Sequence, residues 1–324
     1  MIALGKKAVL AFDYGASSGR LVLGILNEDT KKIELKEMHR FKNCSVKLNQ
    51  YEYWDFPYLY NELKEGLKKV FANEEVKRVP VGFWHHFILG KEQFRGLEDE
   101  NILKRAVDGH KKYYETINPD MMKLMNEGFM GYPPVMENKL QNGEDLLKIK
   151  SIGEDHPWIK EQVKHVKKLV DLFKDEVLTF YNVFAPLQVI RIKLEFHDLD
   201  FDRFVYLAEN FPKELNEAGL EIQKDLKILV KTDLDGIYYC VQNIQSKKYS
   251  KEVYDKYIRT TELDLLDFAN QYSKYNILHI CGYAGHKNNL LYYKDYKAGA
   301  YNWASFIENI SVEEGRKIFG AKCV

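Results

Sequence analysis

The feature that most constrains the fold is a regular alternation of short apolar runs and amphipathic stretches after residue 72. Each run is rich in β-prone residues, and the stretches between the runs carry apolar residues at helical spacing. Such an alternation predicts a parallel α/β architecture, because parallel strands need helical crossovers between them. The predicted strands are Val79–Trp84, Met121–Glu127, Val177–Phe184, Gly236–Val241, Ile277–Cys281, Ala298–Trp303 and Lys322–Val324.

Seven strands with intervening helices favour a (β/α)8 TIM-type barrel, which typically has about 250 residues. The seventh run coincides with the last residues of the sequence, so the expected barrel is incomplete and lacks its last strand. A helix-start signal, Asp155-His-Pro-Trp158, supports one of the helices. The predicted helices are Glu98–Ile117, Pro157–Lys174, Phe201–Lys231, Ser250–Tyr272 and Val312–Phe319.

The fifth of these runs, Ile277–Gly282, carries the most specific chemistry. His279 and Cys281 are two residues apart, so both side chains point to the same side of the strand. An imidazole nitrogen and a thiol sulfur together form half of a metal site. They also lie at a strand's C-terminal end, where barrel enzymes hold their active sites. The alternative is that both are ordinary core residues, since free cysteine is often buried.

The composition excludes several classes of function. Lys+Arg and Asp+Glu are 48 each, which argues against nucleic-acid binding by bulk charge. The 4 cysteines are widely spaced and form no disulfide framework. The first apolar run is interrupted by Asp13, unlike a signal peptide, and no stretch approaches the length of a membrane span. We therefore expect a cytoplasmic protein that acts on a small molecule; the sequence leaves its oligomeric state open.

The first 72 residues have a different pattern. Strands are predicted at Ala8–Phe12, Leu21–Leu26 and Lys32–Phe41, followed by a helix at Phe56–Phe71. The turn Asp13-Tyr-Gly-Ala-Ser-Ser-Gly-Arg20 separates the first two strands. Its amides are suited to cradle a phosphate, and a structural hairpin is the alternative.

Three motifs in this region resemble the start of sugar kinases of the FGGY type, the rhamnulokinases above all. They are Ala11-Phe-Asp-Tyr-Gly-Ala-Ser-Ser-Gly-Arg20, His39-Arg-Phe41 and Tyr53-Trp-Asp55. The resemblance implies a ββ-β-α fragment of a ribonuclease-H-like kinase domain over residues 1–72. It also implies a nucleotide-binding role for Asp13, Ser17, Ser18 and Arg20. The family's catalytic base and adenosine-binding parts have no counterpart here, so we expect no working kinase and no bound ATP.

The rest of the chain, residues 73–324, resembles the uroporphyrinogen decarboxylase superfamily. The resemblance is carried in order by Arg78-Val-Pro-Val-Gly-Phe-Trp84, Pro119-Asp-Met-Met-Lys-Leu-Met-Asn-Glu-Gly128, Asp235-Gly-Ile-Tyr-Tyr-Cys-Val-Gln-Asn243 and Leu278-His-Ile-Cys-Gly282. The superfamily consists of eight-stranded α/β barrels. It contains porphyrinogen decarboxylases and zinc-dependent methyltransferases that act on methylated corrinoids.

Two departures from the decarboxylase pattern favour the methyltransferase branch slightly. The loop His85-His-Phe-Ile-Leu-Gly-Lys91 lacks the arginines that bind a polyanionic porphyrinogen. Glu127 stands where the decarboxylases hold an Asp. The resemblance to the methyltransferases implies that His279 and Cys281 hold zinc, that a thiol accepts the methyl group and that a corrinoid protein is a partner. The decarboxylase reading implies no metal, with Glu127 stabilising a protonated pyrrole.

The predicted catalytic residues are Glu127, His85, His86 and Tyr239. His85 and His86 are adjacent and face opposite ways, so one of them at most points into the barrel mouth. The same holds for Tyr238 and Tyr239. For each residue, packing or a surface ion pair is the alternative role. The predicted function is zinc-assisted methyl transfer or porphyrinogen decarboxylation. The alternatives are an inactive fusion or truncation product, or a rhamnulose kinase remnant.

Overall fold

The structure is a computed structural model and describes residues 6–14, 18–27, 30–42, 45–48, 51–54, 58, 82–174, 176–242, 250–282 and 287–320. Contacts divide the chain into two compact units, which we call unit 1 (Met1–Val81) and unit 2 (Gly82–Val324). The boundary predicted between residues 72 and 73 falls outside the described residues. No helix in the described part of the chain is long and apolar enough to cross a membrane.

Unit 1 contains a three-stranded antiparallel sheet and a short hairpin. The sheet has the order β1 (Lys6–Tyr14), β2 (Ser18–Asn27) and β3 (Lys32–Lys42), which confirms the three predicted strands. The hairpin pairs β4 (Ser45–Leu48) with β5 (Tyr51–Trp54). Apart from Tyr58, the helix predicted over residues 56–71 lies outside the described residues.

A side-chain hydrogen bond links the end of β2 to the residues that precede β3. Asn27 accepts on Oδ1 from the amide of Thr30 at 3.1 Å. Lys31 then takes a left-handed conformation with φ of 57°. The antiparallel register that follows pairs Asn27 with Lys32.

Unit 2 is built on five parallel strands. They are β6 (Met121–Leu124), β7 (Leu178–Phe184), β8 (Gly236–Val241), β9 (Ile277–Ile280) and β10 (Ala300–Trp303). Each strand pairs with the next one along the chain, in the order β10-β9-β8-β7-β6. This sequential parallel order is that of a TIM-type barrel, and it confirms the predicted fold class.

Helices cover this sheet on one side. The helix α4 (Pro157–Phe173) contacts β6 and β7, and α9 (Arg259–Ala269) contacts β8. The helices of unit 2 in the described residues are α1 (Glu100–Ile117), α2 (Pro133–Met136), α3 (Gly143–Leu147), α4 (Pro157–Phe173), α5 (Pro186–Ile192), α6 (Arg203–Asn210), α7 (Pro212–Val230), α8 (Lys251–Val253), α9 (Arg259–Ala269), α10 (Ser305–Glu308) and α11 (Val312–Ile318).

Local sequence explains most of the helix ends. Asp99 caps α1 by accepting from the amide of Asn101, and Asn118 ends it in a left-handed conformation with φ of 48°. Pro157 opens α4, as its helix-start signal predicted. Ser311 and Glu314 form a reciprocal capping box at α11.

Three predicted elements differ from the structure. The helix predicted over Phe201–Lys231 divides into α6 and α7 at Pro212, because proline has no amide hydrogen to continue the ladder. The one predicted over Ser250–Tyr272 contains a π-helical turn at Tyr254–Ile258 between α8 and α9. Residues 82–84 of the predicted first strand are not in a strand. The predicted strand at residues 322–324 lies outside the described residues.

Alternation along the strands separates an apolar face from a polar one. The apolar face packs under the helices and includes Leu124, Val183, Tyr239, Leu278 and Tyr301, all 2% exposed or less. Burial of each such side chain contributes about 1.5–3 kcal/mol. The opposite face, which we call the polar face, carries Lys123, Asn182, Tyr238, Cys240, His279, Cys281 and Asn302.

His110 joins α1 to the loop after β6 and is fully buried. Its Nδ1 donates to the carbonyl of Ala106 at 2.7 Å, and its Nε2 accepts from the amide of Met125 at 2.9 Å. A second proton on the ring would break the bond to Met125. Burial lowers the pKa of His110 to about 3, so the ring is neutral when folded.

We predict that His110 makes the protein less stable in acid. Its folded pKa lies below its unfolded value of about 6.5. The unfolded chain therefore binds more protons, and stability falls as pH drops from about 6.5 towards 3. The free energy of unfolding, measured with urea, should fall with decreasing pH less steeply in a His110→Gln variant than in the wild type. Between pH 6 and 4 the difference in slope should be about 1.4 kcal/mol per pH unit. Equal slopes in the variant and the wild type would contradict this.

Candidate active site

A hydrogen-bonded group of three side chains lies at the centre of the polar face. The Oδ1 of Asn302 accepts from Nδ1 of His279 at 2.6 Å and from the Tyr238 hydroxyl at 2.9 Å. The hydroxyl is also 3.3 Å from the same His279 nitrogen. Because an amide oxygen only accepts hydrogen bonds, Nδ1 carries the proton and Nε2 presents its lone pair.

His279 is neutral at physiological pH. Burial lowers its pKa to about 3, and the positive charge of Lys123 acts in the same direction. Within the described residues Nε2 makes no hydrogen bond. A ring held on Nδ1 by an oxygen acceptor with Nε2 free is the arrangement that metal-binding histidines share. It equally suits a histidine that accepts a hydrogen bond from a substrate.

Two thiols belong to the polar face. Cys281 follows β9, and burial raises its pKa, an effect that Lys123 and Arg191 partly offset. Cys240 on β8 donates from Sγ to Oδ1 of Asn182 at 3.0 Å, and burial raises its pKa to about 12. Cys240 is therefore an unreactive thiol. Cys281 is the better candidate for chemistry because it is only partly buried.

Lys123 on β6 is the cation of the polar face and is 9% exposed. Its Nζ lies 4.1 Å from the centroid of the Tyr238 ring and 4.7 Å from that of Trp84. Burial lowers the pKa of the ammonium, whereas Cys240, Cys281 and Glu127 act in the opposite direction. Lys123 is not among the site residues predicted from the sequence. The signal that could have found it is a lysine inside a strand that is otherwise buried.

The structure brings two of the predicted catalytic residues, Glu127 and His86, together. The Oε1 of Glu127 accepts from Nδ1 of His86 at 3.1 Å and from the amide of Phe87 at 3.0 Å. Glu127 is 1% exposed, and its Oε2 has no hydrogen-bond partner within the described residues. The carboxylate therefore fixes His86 and Phe87 through Oε1, whereas Oε2 makes no hydrogen bond within the described residues.

The other two predicted catalytic residues lie elsewhere. The His85 ring packs against the rings of Phe87 and Tyr113, with centroids 4.7 and 5.6 Å away. Tyr239 lies on the apolar face, and its hydroxyl donates to the carbonyl of Glu262 at 3.0 Å. Strand alternation places its neighbour Tyr238 on the polar face instead.

The described residues do not complete a zinc site. His279 and Cys281 could supply two ligands, but no third His, Cys, Asp or Glu joins them within the part of the chain that the structure describes. A catalytic zinc needs three protein ligands. The predicted metal role of His279 and Cys281 therefore stays a prediction, and Cys323 lies outside the described residues.

Buried polar groups surround the ends of β8 and β9. Arg191, 2% exposed, donates to Glu195 at 2.7 Å and to the carbonyl of Gln242 after β8. After β9, Asn288 donates to the carbonyl of Cys281 at 2.8 Å and to Glu308. A side chain at Gly282 would collide with Oε1 of Glu308, which would then have to shift from its hydrogen bonds to Asn288. These contacts position Cys281.

The predicted nucleotide-binding residues belong to unit 1. Asp13 on β1 pairs in register with Arg20 on β2, and Ser18 begins β2. Ser17 lies outside the described residues. The antiparallel register thus brings the backbones of Asp13 and Arg20 together on either side of the predicted turn.

The fold has a counterpart among solved structures. A methyltransferase from Methanosarcina mazei superposes with a TM-score of 0.55 over 81% of each chain, at 14% sequence identity. The two proteins share a fold. At this identity the likeness concerns the fold alone, and it supports the predicted barrel fold class. No protein-family model matches the chain.

Sequence comparison finds rhamnulokinases over parts of the chain. The rhamnulokinase of Mannheimia succiniciproducens is 48% identical over 62 residues, and that of Ligilactobacillus salivarius is 48% identical over 64. The rhamnulokinase of Halalkalibacterium halodurans is 32% identical over 168 residues, which is 51% of this chain. That match is longer than unit 1. The chain spans 13 to 33% of the length of these relatives.

We predict that Glu127 holds the amide of Phe87 in place. In a Glu127→Ala variant, hydrogen exchange of that amide should become about fivefold faster, since one hydrogen bond is worth about 1 kcal/mol. The Glu127→Gln variant keeps Oε1 and serves as the matched control, with protection close to wild type. Equal protection in Glu127→Ala and wild type would contradict the prediction.

Proposed function

We propose that unit 2 catalyses methyl transfer to a small acceptor bound at the polar face. The observation that carries the proposal is the group formed by His279, Asn302 and Tyr238, in which a neutral imidazole lies on the same face as a partly buried thiol. The fold shared with a methyltransferase supports the choice of reaction. The place of the group, on adjacent parallel strands of a barrel, suits an active site.

The chain's own residues would act by binding and orientation. Nε2 of His279 accepts a hydrogen bond from the acceptor's S–H or O–H group. This bond orients the acceptor so that a lone pair on its sulfur or oxygen points at the methyl carbon. With a pKa of about 3, this imidazole is a hydrogen-bond acceptor rather than a store for the proton. Asn302 and Tyr238 keep the ring in one orientation. Holding two reactants in line lowers the barrier by making their encounter intramolecular.

The substrates follow from the resemblance of unit 2 to corrinoid-dependent methyltransferases. The donor is then a methylated corrinoid, delivered by a partner protein, and the acceptor is a thiol. In the transfer, the acceptor sulfur forms a bond to the methyl carbon, and the donor's bond to that carbon breaks with its electron pair remaining on the donor. The S–H proton passes to solvent water. Decarboxylation of a porphyrinogen is less favoured, because Lys123 is the one cation of the polar face among the described residues.

We predict that the purified protein transfers a methyl group from methylcobalamin to 2-mercaptoethanol. Loss of methylcobalamin absorbance and formation of the S-methyl product, detected by mass spectrometry, measure the reaction. His279→Ala should lower the rate by at least about tenfold, since an oriented hydrogen bond to the acceptor is lost. Tyr238→Phe should also lower it.

The adjacent tyrosine supplies the matched control. Tyr239→Phe removes a hydroxyl from the apolar face and should leave the rate unchanged, because that hydroxyl contacts Glu262. A larger loss in Tyr239→Phe than in Tyr238→Phe would contradict the assignment of the polar face. Turnover of uroporphyrinogen without methyl transfer would establish the decarboxylase reading instead.

Zinc binding by His279 and Cys281 is an alternative within the proposal, because Nε2 of His279 cannot hold a metal and accept a hydrogen bond from the acceptor at once. If it is correct, the purified protein contains about one zinc per chain, as a catalytic site requires. Cys281→Ser should lose the metal, whereas Cys240→Ser, which alters the neighbouring thiol bonded to Asn182, should keep it. A metal-free protein with an intact fold would overturn zinc binding. The methyl-transfer assay with methylcobalamin would still test the proposed reaction.

A further inference from the structure

The buried face of α4 carries two polar atoms that form no hydrogen bond within the described residues. They are Nε1 of Trp158 and Oε1 of Gln162. The two residues are four positions apart, so their side chains are neighbours on one face of the helix. Trp158 is 5% exposed and Gln162 is 2% exposed. Because a buried polar group without a hydrogen bond is unfavourable, this pair requires a partner.

Contacts with neighbouring side chains fix both residues of the pair. The Trp158 ring packs edge-to-face against the rings of Phe129 and Tyr132, with centroids 6.0 and 5.6 Å away. Gln162 donates from Nε2 to the hydroxyl of Tyr181 on β7 at 2.7 Å, which leaves Oε1 as the accepting atom of the amide. The pair therefore offers one donor, an indole N–H, and one acceptor, an amide oxygen.

Both residues line one small cavity between α4, α7 and the end of β7. Most of the wall is apolar, and its other polar side chains are Asn126 and Asn182, which are joined by a hydrogen bond of 2.8 Å. The space open to the centre of a water molecule is about 20 Å³. One water needs roughly 10–15 Å³ on this measure. The cavity therefore has room for one water molecule and for nothing larger.

The chemistry of the pair selects water as the ligand. A molecule that satisfies both groups has to accept from the indole N–H and donate to the amide oxygen. An ammonium ion cannot accept and a halide ion cannot donate, whereas water does both. We propose that this cavity binds one ordered water, which accepts a hydrogen bond from Nε1 of Trp158 and donates one to Oε1 of Gln162. Buried waters of this kind commonly bond to otherwise unsatisfied polar groups.

The position of the cavity gives the water a role in supporting the candidate site. Asn182 belongs both to the wall of the cavity and to the polar face, where it accepts from Sγ of Cys240 at 3.0 Å. The water thus links α4 to the strand end that carries this asparagine. The inference concerns the helix side of the sheet and is independent of the proposed methyl transfer.

Cross-relaxation between water and the indole protons tests the proposal in the isotope-labelled wild-type protein. A water that stays longer than the protein takes to tumble gives an NOE and a ROE of opposite sign, whereas proton exchange gives the same sign for both. We expect opposite signs at the Trp158 indole proton, and Trp158→Phe identifies that signal by its loss. Trp303 is the internal control and should give no such signal, because its Nε1 donates directly to the carbonyl of Ile310 at 3.0 Å.

Two glutamine variants test the partners of the water. Gln162→Met removes the accepting oxygen and keeps a side chain of similar length, so the signal at Trp158 should be lost. Gln188→Met is the matched control. Gln188 is another fully buried glutamine whose amide atoms form no hydrogen bond within the described residues, but it does not line this cavity. This variant should keep the signal.

Three results would overturn the proposal. They are the absence of the opposite-sign signal at Trp158 in the wild type, its persistence in Gln162→Met, and an equal signal at Trp303. A high-resolution crystal structure of the wild type gives a second readout, which decides the matter even if Gln162→Met does not fold. It should show density for one water within about 3.2 Å of both Nε1 of Trp158 and Oε1 of Gln162. A cavity without density would also overturn the proposal.

Discussion

Alternation of side chains along five parallel strands is the constraint on which unit 2 depends. Each strand directs one set of residues under the helices and the other set to the polar face. The apolar set, Tyr239 and Leu278 among it, forms part of the main hydrophobic core. The polar set is thereby held on a rigid sheet, with His279 on β9 in register with Asn302 on β10. The stability of the core and the order of the site arise from the same alternation.

The electrostatics of the polar face follow from its burial. Loss of water keeps the imidazole of His279 neutral and the thiol of Cys240 protonated. What remains is a set of uncharged hydrogen-bonding groups around one buried lysine. Such a face discriminates between ligands by charge more strongly than an exposed surface does, because an unmatched charge is costly in a desolvated site.

Two resemblances meet in this chain. The parallel sheet of unit 2 shares its fold with a methyltransferase, whereas the sequence matches rhamnulokinases over 62 to 168 residues. The match of 168 residues is longer than unit 1, so similarity to rhamnulokinases is wider than the N-terminal motifs suggested. Fold and sequence thus point to different relatives, and only the arrangement of side chains in a site can decide function.

The sequence by itself determined the elements and the side of the strand on which each residue lies. Apolar runs predicted strands β6 to β10, and the spacing of two placed His279 and Cys281 together on one side. Both signals are local, because strand periodicity and helix capping depend on residues a few positions apart. Where a local signal was ambiguous, the prediction was less accurate, as at Pro212, which divides a helix predicted as continuous.

Only the tertiary structure decided which residues meet across the sheet. Asn302 and Lys123 come from strands at its opposite ends, and Tyr238 contacts both. The structure also placed Tyr238, rather than Tyr239, on the polar face, and paired Glu127 with His86. Strand register and helix packing arise from the cooperative burial of the whole core, so contacts between distant residues leave no periodic signal in a single sequence.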